Sequence, residues 1–269
     1  MGFVVSGKTD IGVVRQNNED NLYISQDDGL LLVADGMGGH ASGEVASKIT
    51  VDIMRDYFSG VKEGRQLQIG PYQEDLTEPT NRLGSAIRLA NQAIYEAAQG
   101  NPLWHGMGTT IAAVLITGNR LSIAHVGDSR VYLIREGSME QLTDDHSFVS
   151  EQVKREIISK EQAKASEMKN VLTRALGVHP EVEVDLEELS LLDGDMLVLC
   201  TDGLTGMVDD DEIFAIINTL RDPAVACEDL IARANQNGGK DNVTVVVAEI
   251  EKKKGWFYRL LHFKEWFRR

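Results

Sequence analysis

The chain has 269 residues, 42% hydrophobic and 26% charged, which suits one large globular domain or two small ones and excludes a disordered or fibrous protein. Its formal charge of −15 argues against a nucleic-acid partner. That charge is uneven: residues 251–269 hold seven Lys/Arg against two Asp/Glu, a balance of +5 that leaves −20 on residues 1–250. Such a body repels an anionic substrate at long range, so local cations would have to offset it. The N-terminus lacks the layout of a signal peptide, and no apolar run approaches a membrane span. Cys200 and Cys227 lie on apolar patterns and read as buried thiols, so the expectation is a cytoplasmic chain without a disulfide.

In chain order, residues 3–8 read as a strand and Thr9–Asn18 as a turn carrying Arg15. Glu19 and Asp20 then open a second strand. Arg15 suits a bidentate phosphate clamp, and the two acids suit the orientation of waters; an exposed loop with solvated charges explains them equally well. Next comes Leu30-Leu-Leu-Val-Ala-Asp35-Gly-Met-Gly-Gly-His40-Ala-Ser42, an apolar strand that delivers a carboxylate to a glycine-rich loop before a helix over 43–58. Three readings compete for this stretch. Asp-Gly is ordinary turn chemistry. Gly36-Met-Gly38-Gly-His-Ala41 also fits the GxGxxA dinucleotide fingerprint, but Asp35 would stand where a pyrophosphate must approach, and no acid-ended strand follows for the ribose. A carboxylate beside a bare glycine carbonyl, finally, offers two hard oxygen ligands to Mg²⁺ or Mn²⁺.

Residues 60–79 read as a surface loop and 81–99 as a helix that stops at Gly100. Residues 108–143 read as a β meander with Asp128 at the tip of one hairpin, and His125 reads as a core histidine. Residues 144–177 are charged and weakly periodic, which predicts short helices in a flap. A strand over 182–189 restores the regular pattern. Asp195–Gly203 then repeats the opening arrangement, an apolar strand delivering Asp202-Gly203. Helices over 209–220 and 224–237 follow, and Gly239-Lys-Asp241-Asn242 leads into a strand over 243–249.

Arg15…Asn18-Glu-Asp20, Asp35-Gly-Met-Gly-Gly-His40, Gly108-Thr-Thr, Gly127-Asp-Ser-Arg130, Asp202-Gly203 and Gly239-Lys-Asp-Asn242, in this order, resemble the motifs of metal-dependent serine/threonine phosphatases of the protein phosphatase 2C-like (PPM) family in its bacterial form. The resemblance implies an α+β fold: two antiparallel β-sheets packed as a sandwich, flanked by helices on both sides. It also implies a catalytic domain over 1–250 with a flap at about 144–177, and two or three Mn²⁺ or Mg²⁺ ions. By that likeness Asp35 bridges two ions, the Gly36 carbonyl binds one, and Asp202 and Asp241 complete the other. Asp20 and Glu19 hold metal-bound waters, Asp128 joins Asp202 at a third ion, and Arg15 binds the phosphoryl oxygens. His40 is a candidate general acid, with a loop histidine that merely packs as the equal alternative.

The implied activity is hydrolysis of phosphoserine and phosphothreonine in proteins by metal-activated water, opposing a serine/threonine kinase, in a monomer with no nucleic-acid partner. Its rivals are a silent phosphoprotein-binding module on the same fold and a dedicated regulator of partner-switching systems. In the flap, Ser166-Glu167 stands where the family often carries His-Pro, which bears on substrate selection and not on the metals. Beyond the family core, Trp256, Leu260, Phe263 and Phe267 form a basic amphipathic stripe over 251–269, suited to an anionic membrane surface, a partner, or the acidic body itself.

Overall fold

A computed structural model describes residues 1–38, 42–62 and 67–251. Its strands are β1 (Gly2–Asp10), β2 (Asp20–Ser25), β3 (Leu30–Met37), β4 (Gly108–Thr109), β5 (Ile111–Thr117), β6 (Arg120–Val126), β7 (Arg130–Arg135), β8 (Ser138–Gln141), β9 (Asp185–Ser190), β10 (Met196–Cys200) and β11 (Val243–Glu251). The helices are α1 (Ser42–Lys62), α2 (Glu78–Gly100), α3 (Phe148–Lys154), α4 (Lys160–Ala165), α5 (Asp202–Thr205), α6 (Asp210–Leu220) and α7 (Pro223–Gln236).

Side-chain alternation turns these elements into layers. Successive residues of a strand face opposite sides. On β3, Leu30 and Leu32 pack towards Met54, Ile87 and Ile94 of α1 and α2, whereas Leu31 and Val33 pack towards Leu197, Leu199 and Val246. On β10, Met196 and Val198 face Ile213, Ile217 and Leu230 of α6 and α7, while Leu197 and Leu199 face the other sheet. Strands apolar on both faces therefore lie between two cores, in four layers of helix, sheet, sheet and helix. The five-stranded sheet runs β1-β11-β10-β7-β8; the six-stranded one runs β2-β3-β5-β6-β9, with β4 paired to β3. Named pairings are antiparallel throughout, as expected.

The expected meander over 108–143 needs correction. Strands β5 and β6 form one hairpin and β7 and β8 another, but β6 pairs onward with β9 and β7 with β10. Residues 127–129 therefore cross from one sheet to the other, and Asp128 sits on that crossing, not at a hairpin tip. Strands with two buried faces carry no polar side to tell which sheet they join. Between residues 144 and 184 the chain forms α3, α4 and connecting turns. His40 and the tail 252–269 lie outside the described residues.

Candidate metal centre and its supports

Asp35 and Gly36 do not form a turn. Both lie inside β3, where Asp35 stands directly across from Asp20 on β2. Gly36 is required by proximity: a Cβ there would fall 2.1 Å from the Gly43 carbonyl oxygen at the start of α1. Asp202-Gly203 follows the same logic inside α5, where a Cβ on Gly203 would meet the Asn242 carbonyl oxygen at 1.9 Å. Each glycine lets a second backbone segment close over the carboxylate beside it.

The carboxylates of Asp20, Asp35, Asp128, Asp202 and Asp241 converge at one end of the sandwich, and those of Asp35 and Asp202 lie within hydrogen-bonding reach. Burial, reinforced by the neighbouring acids, pushes Asp35 well above the carboxylate range and raises Asp202. Burial likewise carries Asp20 up to about 7 against the hydrogen bonds that favour its charged form, with Asp202 and Asp241 adding to the rise. Asp128 also reaches about 7, through burial and then Asp202 and Asp145. Glu19 stands at the edge of this group beside Arg15 and Glu44, its carboxyl raised by burial. Arg15 is exposed, and its guanidinium donates to Asp241 Oδ2 at 2.7 Å.

Several supports carried no chemical signal of their own in the sequence. The Thr201 and Thr244 hydroxyls donate to Asp20 Oδ2 at 2.8 and 2.7 Å. The Thr109 hydroxyl and the Thr110 amide donate to the Asp35 carbonyl oxygen at 2.7 and 2.8 Å, and Thr110 Oγ1 lies 2.7 Å from Ser129 Oγ beside Asp128. The Asn242 side chain donates to the carbonyl oxygens of Ile11 and Asn17 at 3.0 and 2.9 Å and accepts from the Glu19 amide at 2.8 Å, pinning the loop that bears Arg15. Position was the available clue, since each lies within or next to a strand-end motif.

A second group, which the sequence did not bring together, joins His125, His146 and Asp185, whose candidate ligand atoms lie within 4.8 Å of one another. Its hydrogen bonds make it a brace. His146 Nδ1 accepts from the Gly127 amide at 3.0 Å, His146 Nε2 lies 3.2 Å from Asp185 Oδ2, and Arg174 also bonds Asp185. His125, expected as a core residue, is buried, stacks on His146 and approaches the Asp144 carbonyl oxygen through Nε2 at 2.9 Å. Cys200 and Cys227 are free and buried, as expected.

The acidic centre fits divalent cations on two observations. Asp20 Oδ1 is buried without a hydrogen-bond partner, which is costly unless something charged faces it. The converging donors are all oxygens, the set preferred by Mg²⁺ and Mn²⁺ over Zn²⁺.

A sandwich of two antiparallel sheets between helical layers, with clustered aspartates at one end, defines the class to which known proteins can be compared. The protein phosphatase 2C family model matches residues 13–242, and the chain belongs to that family. It is 39% identical over 245 residues to the serine/threonine phosphatase stp of Listeria innocua, covering 90% of this chain and 94% of that protein. It is 39% identical over 247 residues to the serine/threonine protein phosphatase PstP of Mycobacterium tuberculosis, covering 91% of this chain and 44% of that protein. A crystal structure of the PstP catalytic domain with two manganese ions superposes with a TM-score of 0.80 at 38% identity, covering 93% of this chain and 99% of that one. The Mycobacterium tuberculosis PstP/Ppp structure gives 0.83 at 37% identity, covering 94% and 100%.

Proposed function

We propose that this chain is a metal-dependent protein-serine/threonine phosphatase that opposes a serine/threonine kinase, with residues 1–250 as its catalytic domain and 144–177 as a flap over it. Asp35, the Gly36 carbonyl, Asp202 and Asp241 hold two Mn²⁺ or Mg²⁺ ions, Asp20 and Glu19 hold their waters, and Asp128 with Asp202 provides a third position. The observation that carries this reading is the convergence of five aspartates from separate segments, one with a buried oxygen left unpaired.

Divalent cations bound there supply positive charge that acidifies water and offsets the charge of a phosphoryl group. The protein's own part is orientation. Thr201 and Thr244 fix Asp20 Oδ2 and leave Oδ1, buried and without a partner, for a cation or its waters. Thr109 and Thr110 fix the backbone of Asp35. Arg15, exposed and held beside Asp241, is placed to receive phosphoryl oxygens through its guanidinium fork. His40 is assigned proton donation to the leaving serine or threonine oxygen. Among the described residues no helix is long and apolar enough to cross a membrane. Residence in the cytoplasm belongs to the same proposal, with the basic tail 252–269 meeting an anionic membrane surface, a partner or the acidic body itself.

The test is hydrolysis of a phosphothreonine peptide with Mn²⁺, comparing the native chain with Asp202→Ala. Turnover that depends on Mn²⁺ and collapses in the variant supports the reading; equal rates in both overturn the metal mechanism.

A further inference from the structure

Beside the acidic centre, walled in part by the proposed flap, lies a cleft of about 460 Å³. Met37, Leu172 and Val178 are among its apolar lining residues, and Arg174, Glu181 and Glu183 are among its charged ones. Its placement follows from strand geometry. Asp35 and Met37 are alternate residues of β3, so they share one face and lie about 7 Å apart along the strand. The opposite wall is tied to the same strand through β4, which pairs with Gly36 and Met37 on one side. On the other side Thr109 and Leu176 exchange backbone hydrogen bonds of 3.2 and 2.9 Å. Met37 therefore sets the cleft next to the face of β3 that presents Asp35.

Its chemistry is equally defined. Val178 is 43% exposed, so part of the apolar lining is open to solvent. Arg174, the arginine among its lining residues, is already engaged by Asp185, by the Glu183 carbonyl oxygen and by the Glu183 carboxylate at 3.4 Å, which leaves Glu181 as the rim acid that Arg174 does not pair. Glu181 and Glu183 are exposed. An apolar lining with the Glu181 carboxylate at its rim suits a lysine or arginine, whose aliphatic stem covers the lining while its charged head meets that acid. An extended peptide advances about 3.3–3.6 Å per residue, so the second residue from one held at Asp35 reaches the cleft. Basic flanks also offset the repulsion between a phosphate and a body of this negative charge.

We propose that this cleft is the subsite for a lysine or arginine about two residues from the phosphorylated residue of a protein substrate. The assignment rests on the phosphatase reading and names the substrate class it acts on.

The experiment uses the full chain loaded with Mn²⁺ and two phosphothreonine peptides that differ only in carrying lysines or glutamates two residues to each side. The small substrate p-nitrophenyl phosphate is run in parallel on the native chain. The native chain is expected to favour the lysine peptide in kcat/KM by about fivefold at low salt, with the ratio shrinking as salt rises. Glu181→Lys, confirmed as folded by its melting curve, is expected to bring that ratio to one or below. A native ratio near one while p-nitrophenyl phosphate is turned over overturns the subsite alone, as does a Glu181→Lys ratio that stays at the native value. No turnover of any of the three substrates overturns the phosphatase reading and the subsite with it.

Discussion

Asp20 and Asp35 oppose each other directly across the β2–β3 pair, two carboxylates at one rung of a strand ladder. Like charges so placed destabilise a sheet. Hydroxyls from Thr201 and Thr244 satisfy one oxygen of Asp20, but the other is left unpaired, and Asp202 adds a further negative charge within reach of Asp35. The fold thus accepts a local cost that a bound cation would remove, which is the expected compromise between stability and a functional site.

Opposite effects on stability and activity follow from that arrangement. Asp35→Asn and Asp202→Ala each remove one buried carboxyl whose ionisation burial and the neighbouring acids oppose, so both raise the melting temperature in EDTA at pH 8. The same variants lower Mn²⁺-dependent phosphopeptide hydrolysis by about 100-fold or more. Melting curves in chelator beside initial rates in Mn²⁺ check both halves; a lower melting temperature in EDTA would show that the carboxylates do not repel one another.

The same carboxylates set how the chelated protein responds to pH. Asp20 and Asp128 are pushed up to about 7 in the folded state, and Asp35 and Asp202 are raised as well. An unfolded aspartate titrates near about 3.9. Between these values the folded state binds more protons than the unfolded one, so stability falls as pH rises through the window from about 4 to about 7. In EDTA the melting temperature is therefore lower at pH 8 than at pH 5. Mn²⁺ needs the deprotonated ligands, so its stabilising shift grows over the same interval. Thermal melts at both pH values, with and without Mn²⁺, measure the crossing.

Removal of a hydroxyl behind the centre tests orientation apart from ligation. Thr201→Val keeps the shape and deletes the 2.8 Å hydrogen bond to Asp20 Oδ2, together with the 3.0 Å bond that Thr201 Oγ1 accepts from the Thr244 amide. Supports of this kind tune metal affinity by about 10–100-fold, so the Mn²⁺ concentration for half-maximal activity rises by about tenfold. Activity at saturating Mn²⁺ recovers most of the native rate. Titration of activity with Mn²⁺ reads the shift directly.

Why Thr201 escaped a reading of the sequence, when Asp202 beside it did not, is instructive. A carboxylate at the end of an apolar strand announces itself, because burial of a charge is expensive enough to demand a reason. A threonine in the same place is ordinary strand composition, and its role exists only when β10 and β11 bring Thr201 and Thr244 together behind Asp20. The layers were legible because their apolar runs were continuous or alternating. The β6–β7 crossing was not, because Ala124, Val126, Val131 and Leu133 are buried whichever sheet each strand joins. The brace of His125, His146 and Asp185 was hidden for a similar reason: its members lie on β6, before α3 and at the start of β9, with no spacing that marks a site.

Arg15 joins Asp241 across a separation of 226 residues, with more than half of its side chain exposed. A phosphate clamp in that position uses its paired donors, which lysine lacks. Arg15→Lys is expected to lower kcat/KM at saturating Mn²⁺ by about tenfold and Arg15→Ala by about 100-fold. Steady-state kinetics on a phosphothreonine peptide separates these effects. Full rescue by lysine would reduce the role of Arg15 to simple charge.

Gly36→Ala tests whether the backbone contact, and not conformational freedom, explains the glycine. The new methyl would lie 2.1 Å from the Gly43 carbonyl oxygen and 2.7 Å from that of Glu19, atoms that cannot rotate aside. The start of α1 would have to move off β3, at a cost of about 1–3 kcal/mol or more. Because that movement displaces the carbonyl beside Asp35, Mn²⁺ affinity falls together with the melting temperature. Gly100→Ala is the control: it closes α2, a Cβ there meets nothing within 4 Å, and stability should change by less than about 1 kcal/mol, in the favourable direction. Chemical denaturation of both variants, with Mn²⁺ titration of the first, distinguishes a tight approach of two backbones from a general intolerance of alanine.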